Sequence, residues 1–230
     1  MAWEIFEQAA SRYEAWYATE RGRRADIAER ALLERLLRLV PNARTVLEAG
    51  SGTGHFAARM AESGFQVIGI ERAPAMVREA QRNFPSIPFA IGDARHLPLR
   101  AEAVDVVAFI TTLEFLVCPV AALREAVRVA RRGVVVVALN RWSVGGLSRR
   151  FGPQSRGSLL GQANDYSLTQ LRFAVKEAAG TRLAGMRWSS TLFPNGLWNL
   201  RAQVPLGGVI GIAAALELSK LDPATKDCRA

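Results

Sequence analysis

The run Glu48-Ala49-Gly50-Ser51-Gly52-Thr53-Gly54-His55-Phe56 places three glycines at alternate positions. Glycine lets a backbone turn sharply and approach a ligand more closely than side chains permit. The run follows a short apolar stretch that reads as a strand and precedes a helical pattern. That is the position at which nucleotide-type ligands meet α/β sheets. Glu71 ends the second apolar run, 21 positions after Gly50. A carboxylate at that spacing can accept hydrogen bonds from both hydroxyls of a ribose. Asp93, within Gly92-Asp93-Ala94-Arg95, follows the third run. There its carboxylate can accept from the exocyclic amine of a base while the Ala94 N–H donates to a ring nitrogen.

These residues need a parallel sheet to hold them, and the chain shows the pattern of one. Thr45-Val46-Leu47-Glu48, Gln66 to Ile70, Phe89-Ala90-Ile91, Val104 to Ile110 and Gly133 to Leu139 are short runs, several apolar at every position. Runs of that kind fit strands buried on both faces. Between them lie helical stretches, Phe56 to Glu62 ending at Gly64, Pro74 to Asn83 and Pro119 to Ala130, two of which open on proline. Two further helices are expected before the first strand, over Trp3 to Tyr17 and Asp26 to Leu39. After the fifth strand, Asn140 to Tyr166 is rich in Gly, Ser and Arg and reads as a mobile insertion. Ser167-Leu168-Thr169-Gln170 is a capping-box signature for a helix that stops at Gly180. Thr181 to Leu192 and Gly207 to Leu218 read as two late strands that pair antiparallel at the sheet edge. The expectation is a single domain over 1–230, α/β and doubly wound, whose Rossmann-like sheet has seven mostly parallel strands and an antiparallel last strand. Within it, 1–40 form a helical cap, 43–139 the ligand-binding core, 140–166 a lid-like insertion, 167–218 the C-terminal helix and strand pair, and 219–230 a frayed tail.

Composition removes several classes. Two cysteines, Cys118 and Cys228, make neither a disulfide framework nor a four-ligand zinc site, and with only two histidines no metal site is expected. The apolar stretch Val204 to Leu218 is broken by Pro205, three glycines and Glu217, so no membrane span is expected. No secretory pattern opens the chain, which points to the cytoplasm. The net charge of +9 comes from 27 Arg and 3 Lys against 21 acids. The arginines are scattered, and a solvated basic surface is the preferred reading over a nucleic-acid face.

With these residues in place, the chain resembles the class I S-adenosylmethionine-dependent methyltransferases, especially the small-molecule branch of methyltransferase-11 type. The resemblance rests on Val46 to Gly54, Val67-Ile68-Gly69-Ile70-Glu71, Gly92 to Leu99, Val104-Asp105-Val106-Val107 with Leu113-Glu114-Phe115-Leu116, and Leu123 to Val129. It implies S-adenosylmethionine (SAM) as cofactor. Gly50, Gly52 and Gly54 would pass beneath its methionine part, in a loop whose Glu48, Ser51 and Thr53 join the cofactor set. Glu71 would bind the ribose, Arg72 and Met76 would flank the adenine, Asp93 and Ala94 would read its edge, and Ile110 would line the pocket. Tyr17, and more weakly Tyr13, would help enclose the cofactor. Ala130-Arg131-Arg132-Gly133 replaces the family's usual Pro-Gly-Gly turn. Thr111-Thr112-Leu113-Glu114 departs from the Asp/Asn-Pro-Pro-Tyr pattern of amino-methylating DNA enzymes, which argues against that activity.

No catalytic residue follows from the sequence. Glu114 and Tyr17 are the candidates, although Glu114 reads first as a cap or a partner for an arginine. An in-line methyl displacement can be accelerated by positioning alone. His55 reads as supporting the loop, His96 as a surface residue and Cys118 as a buried thiol. Trp16, Tyr17, Trp142, Phe151 and Tyr166 could wall a substrate, although aromatics in such segments more often simply pack. The expected function is methyl transfer to a small-molecule acceptor. RNA or protein methylation and a non-catalytic SAM-binding role are the alternatives. A nicotinamide oxidoreductase is disfavoured, because Gly-x-Gly-x-x-Gly would need its third glycine at His55. The segments 13–24 and 140–166 are expected to close over the site, with Arg141, Arg149, Arg150 and Arg156 favouring an anionic acceptor.

Overall fold

Seven strands order themselves β3-β2-β1-β4-β5-β7-β6 in one sheet of the computed structural model, which describes residues 3–151, 159–194, 197 and 200–218. They are β1 (Thr45–Ala49), β2 (Gln66–Glu71), β3 (Phe89–Ile91), β4 (Val104–Ile110), β5 (Ala130–Leu139), β6 (Leu183–Thr191) and β7 (Val209–Leu216). The first five pair parallel, while β7 runs antiparallel to both β5 and β6. Every residue of β4 is buried, as a strand covered on both faces requires. Strand order reverses between β1 and β4, and the crevice outside the strand ends at such a reversal is where α/β sheets take ligands.

The helices are α1 (Trp3–Tyr13), α2 (Glu20–Arg38), α3 (His55–Glu62), α4 (Pro74–Asn83), α5 (Pro119–Val129), α6 (Val144–Phe151) and α7 (Leu168–Ala179). On one face, α5 and α7 bury Leu123, Val127, Leu171 and Val175 against Leu47, Phe109 and Val136. On the other, α2, α3 and α4 bury Leu32, Leu36, Phe56 and Val77 against Val46, Val106 and Val135. Helix α2 sits close on β7, because Gly211 leaves the space where a Cβ would run into Leu36 Cδ1. The expected capping box forms, with Ser167 Oγ accepting the Gln170 N–H and Gln170 Oε1 accepting the Ser167 N–H.

Several expectations are corrected. The first helical stretch breaks after Tyr13 into a 3₁₀ turn (Glu14–Trp16), and α2 begins six residues earlier than Asp26, since Thr19 caps it by accepting the Gly22 N–H. Strand β5 starts at Ala130, so Arg131 and Arg132 lie inside it and approach Asp105 Oδ1 at 3.4 and 3.2 Å. The insertion after β5 is ordered at both ends: α6 fills 144–151, a 3₁₀ turn spans Leu159–Gln162, and the Tyr166 N–H donates to the Leu139 carbonyl. Its centre, 152–158, lies outside the described residues, as does the tail expected over 219–230. Cys118 is exposed at the start of α5 rather than buried.

Asp105 ties the lower ends of three strands. Its Oδ2 accepts the N–H groups of Arg44 and Thr45 and the Thr45 hydroxyl at 2.9–3.0 Å, and these bonds hold its carboxyl below the usual range despite burial. Asp105→Asn should therefore cost about 1–3 kcal/mol of stability in urea unfolding at pH 7. Because the folded pKa is depressed, the difference from wild type should shrink as pH falls below 4.

Candidate functional site

A cavity of about 1190 Å³ opens where β1, β2, β4 and β5 end. It exceeds the roughly 300–1,000 Å³ usual for one small ligand, so it has room for two. One half lies beyond β1, β2 and β3 and is lined by the glycine loop, Glu71, Arg72, Gly92, Asp93 and Ala94. The other lies beyond β4, β5 and β7 and is lined by Ile110, Thr111, Leu139, Gly208 and Val209. Trp16, Tyr17, Arg21 and Arg24 cover it from the N-terminal segment, and Ser143, Gly145 and Ser148 from the segment after β5.

The loop after β1 is held by backbone. Gly50 and Ser51 both donate to the Ile70 carbonyl, at 2.7 and 3.1 Å. Gly50 and Gly52 take φ of +81° and +52°, a region that side chains disfavour. Glu71 Oε2 accepts the Gly52 N–H at 3.0 Å, while Oε1 accepts the N–H groups of Arg72 and Ala73 at 2.7 and 2.9 Å. Burial pushes the Glu71 carboxyl up and these three donors pull it back, leaving a net rise. A carboxylate has about four acceptor sites, so Oε2 keeps one for a ligand. Glu48 and Ser51 belong to the same wall, with Glu48 Oε2 and Ser51 Oγ buried behind its surface and without a hydrogen-bond partner. Burial, reinforced by Glu71, raises the Glu48 carboxyl well above its ordinary value.

On the far side of the first half, Asp93 is fully engaged. Arg95 grips it through Nε and Nη2, the latter at 2.6 Å, and Arg72 Nη1 adds a contact at 2.9 Å. The Arg95 bonds hold its carboxyl down to about 2. A base amine reaching Asp93 therefore has to share it with two guanidinium groups. Arg72 also lies over the Trp3 ring, 5.7 Å from its centroid, which ties α1 to this wall.

Among the residues expected at the site, Tyr17, Glu48, Gly50, Ser51, Gly52, Thr53, Glu71, Arg72, Asp93, Ala94 and Ile110 line the cavity. Met76 does not: it is buried with Ala10 and Ala73 beneath α1. Gly54 does not either; it starts α3 at φ +83°, where a Cβ would crowd Phe89 and Phe84. Glu114 lies outside the cavity lining, fully buried, and accepts the Leu139 N–H at 2.6 Å, a cap on the end of β5. Trp142 is 55% exposed and Tyr166 donates its hydroxyl to the Leu113 carbonyl, so neither walls the cavity; the Phe151 side chain lies outside what is described. Nor does Arg141 face the cavity; its Nε bonds the Asp165 carbonyl. Among the described residues the arginines that line the space are Arg12, Arg21, Arg24 and Arg72, the side chains of Arg149, Arg150 and Arg156 lying outside what is described.

Thr111 and Glu29 are among the lining residues that escaped the sequence reading. Thr111 sits at φ +49°, an outlier for a β-branched residue, at the tip of β4. Glu29, on α2, is 8% exposed and faces the cavity with its carboxyl pushed up to about 8 by burial. No local pattern singles it out, because the cavity it borders forms only in the folded chain.

His55 latches the N-terminal segment to the loop. Its Nε2 meets Asp26 Oδ1 at 2.7 Å, its Nδ1 lies 3.4 Å from Glu14 Oε2, and Tyr17 stacks on its ring at 3.6 Å. Thr53 Oγ1 donates to Glu14 as well. Burial lowers the imidazole's affinity for a proton, but the two carboxylates outweigh it and the net shift is upward. A raised folded-state pKa stabilises the cap fully below about pH 6.5, and the effect is lost as pH climbs through the raised value. His55→Gln should thus cost about 1.5–3 kcal/mol at pH 6 and far less at pH 9, read as the gap in unfolding free energy from wild type.

A seven-stranded sheet of this order, with a glycine loop after β1 and an acid closing β2, is the class I methyltransferase fold. Residues 47–138 match the family model for a methyltransferase domain of methyltransferase-11 type. A SAM-dependent methyltransferase of Thermotoga maritima, a possible histamine N-methyltransferase, is 26% identical and superposes with a TM-score of 0.78 over 94% of this chain and 99% of that one. A demethylmenaquinone methyltransferase of Beutenbergia cavernae is 35% identical over 88 residues, 38% of this chain and 37% of that protein. A malonyl-[acyl-carrier protein] O-methyltransferase of Serratia marcescens is 30% identical over 132 residues, 57% of this chain and 49% of that protein. The matches span less than half of each of these two curated relatives. Among the described residues, no helix is long and apolar enough to cross a membrane.

Proposed function

We propose that the chain is a SAM-dependent methyltransferase acting on a small-molecule acceptor. The observation that carries this is the cavity half bounded by the Gly50–Gly54 loop and Glu71, whose Oε2 keeps an acceptor site beside backbone at positive φ. An acceptor beside a left-handed glycine loop fits a ligand that brings hydroxyl donors and lies close against bare backbone. SAM supplies an ammonium, two ribose hydroxyls and an electrophilic methyl group on a sulfonium.

In this reading Glu71 takes a ribose hydroxyl on its remaining lone pair, and Gly50 and Gly52 let the ligand lie against bare backbone. Glu48 faces the cationic end of the cofactor, and Asp93 with Ala94 borders the base, where Arg72 yields part of its ion pair. Tyr17, stacked on His55, forms part of the wall that keeps water from the second half. The acceptor enters that second half. It needs no general base from the protein if its nucleophile is soft or already ionised. The N-terminal segment and α6 both border the cavity and are positioned to act as its lid.

Calorimetry with intact chain should show binding of SAM and of S-adenosylhomocysteine, and none of NAD. Glu71→Gln, which keeps the shape of the side chain, should weaken SAM by about 1–3 kcal/mol, a loss of roughly 5- to 150-fold. Unchanged affinity would remove Glu71 from the site. Amide exchange over 13–24 and 144–151 should slow when S-adenosylhomocysteine binds; equal rates with and without it would remove the lid.

A further inference from the structure

The cavity holds a carboxyl with no hydrogen-bond partner among the described residues. Glu29 projects from α2, the helix packed against β5 and β7, and lines the cavity between His55, which follows the glycine loop, and the turn after β4. It is buried, and no hydrogen bond to it is found among the described residues. A buried ionised carboxylate without a partner is costly, so the group either stays protonated or waits for a cation. The groups acting on it mostly discourage ionisation: Asp26 from its own helix and Glu114 from the turn after β4. His55, from α3, favours it but is already held by Asp26 and Glu14. From the N-terminal segment Tyr13 and Tyr17 face it, both phenols held protonated in part by its proximity. Leu139 and Val209, which line the cavity from β5 and β7, are apolar.

The surroundings are also aromatic. Tyr13, Trp16, Tyr17 and Phe115 line the cavity, with ring centroids 6.2 Å apart for Tyr13 and Tyr17 and 4.9 Å for Trp16 and Tyr17. Aromatic faces and a lone carboxyl together suit an organic ammonium group: the rings offer cation–π attraction and the carboxyl offers the counter-charge. Of the arginines that line the space, Arg12, Arg21 and Arg24 are exposed, and Arg72 is paired with Asp93.

We propose that Glu29 is the acceptor-binding carboxyl of this cavity and that the methyl acceptor is a small amine, bound as its ammonium. The ammonium returns one proton to the carboxylate before its nitrogen lone pair takes the methyl group, and the sulfonium sulfur keeps the electron pair of the broken bond. The inference rests on the methyltransferase reading above. It has a consequence that a structural acid would not produce. With its carboxyl pushed up to about 8, Glu29 is mostly protonated at pH 7, so an arriving ammonium displaces that proton to solvent and pairs with the carboxylate left behind. Amine binding therefore releases about one proton per site at pH 7 and almost none at pH 9.5.

Titration calorimetry on the full chain saturated with S-adenosylhomocysteine tests this, using phenethylamine as probe and 2-phenylethanol and phenylacetate as uncharged and anionic controls. Running it at pH 7 in phosphate and in Tris separates proton release from binding heat. The amine should bind at least tenfold more tightly than either control and release its proton. Glu29→Gln should lose at least tenfold in amine affinity and all proton release, while binding S-adenosylhomocysteine within twofold of wild type. Glu29→Asp should keep the proton release at reduced affinity. The proposal is overturned if millimolar phenethylamine gives no heat, if the alcohol binds as well, or if Glu29→Gln binds the amine unchanged. It is equally overturned if SAM itself triggers a Glu29-dependent proton release, which would assign the carboxyl to the cofactor. Failure of wild type to bind S-adenosylhomocysteine would instead remove the methyltransferase reading, and this inference with it.

Discussion

Gly50 and Ser51 give their N–H groups to the Ile70 carbonyl, and Gly52 gives its own to Glu71. These bonds span the ends of β1 and β2 and bend the intervening chain into left-handed conformations that only glycine takes without strain. Everything at the site hangs on that bend. It aims α3 away from the sheet edge, exposes bare backbone to the cavity, and brings Glu48, Ser51 and Glu71 to one wall. Glu71 is thus the clamp that shapes the loop, and it lines the cavity beside it.

The N-terminal segment depends on the same bend. His55 opens α3 directly after the loop, and its two carboxylate partners come from the 3₁₀ turn after α1 and from α2. The cap is therefore bolted to the loop by charge as well as by the Tyr17 stack. Glu7 reinforces this by accepting the Ala75 N–H at the start of α4. A rearrangement of the loop on ligand binding would be felt in the cap, because both share His55 and Thr53. The cavity is therefore assembled from the core sheet on one side and two peripheral segments on the other.

The core of this arrangement was legible in the residues. Continuous apolar runs marked β4 and β5, prolines marked the starts of α4 and α5, and alternate glycines with Glu71 and Asp93 marked the cofactor half. What stayed hidden depends on contacts made only in three dimensions. Met76 has the apolar type of a ring-flanking residue, but α1 packs over it and shuts it away from the cavity. Glu114 caps β5, the kind of role read first for it, but no spacing shows that its partner is the Leu139 N–H. Glu29 carried no local signal at all. Its environment is set by residues from α3, the turn after β4 and the N-terminal segment, and no spacing along the chain reports them.

The central claim is that the β1 loop and Glu71 bind the ribose of SAM. A crystal structure of the intact chain with S-adenosylhomocysteine tests it most directly. The account predicts a ribose hydroxyl within hydrogen-bonding distance of Glu71, with the ligand lying along Gly50 and Gly52. Ligand density elsewhere, or a Glu71 carboxylate bonded only to Gly52, Arg72 and Ala73 in the complex, would contradict it.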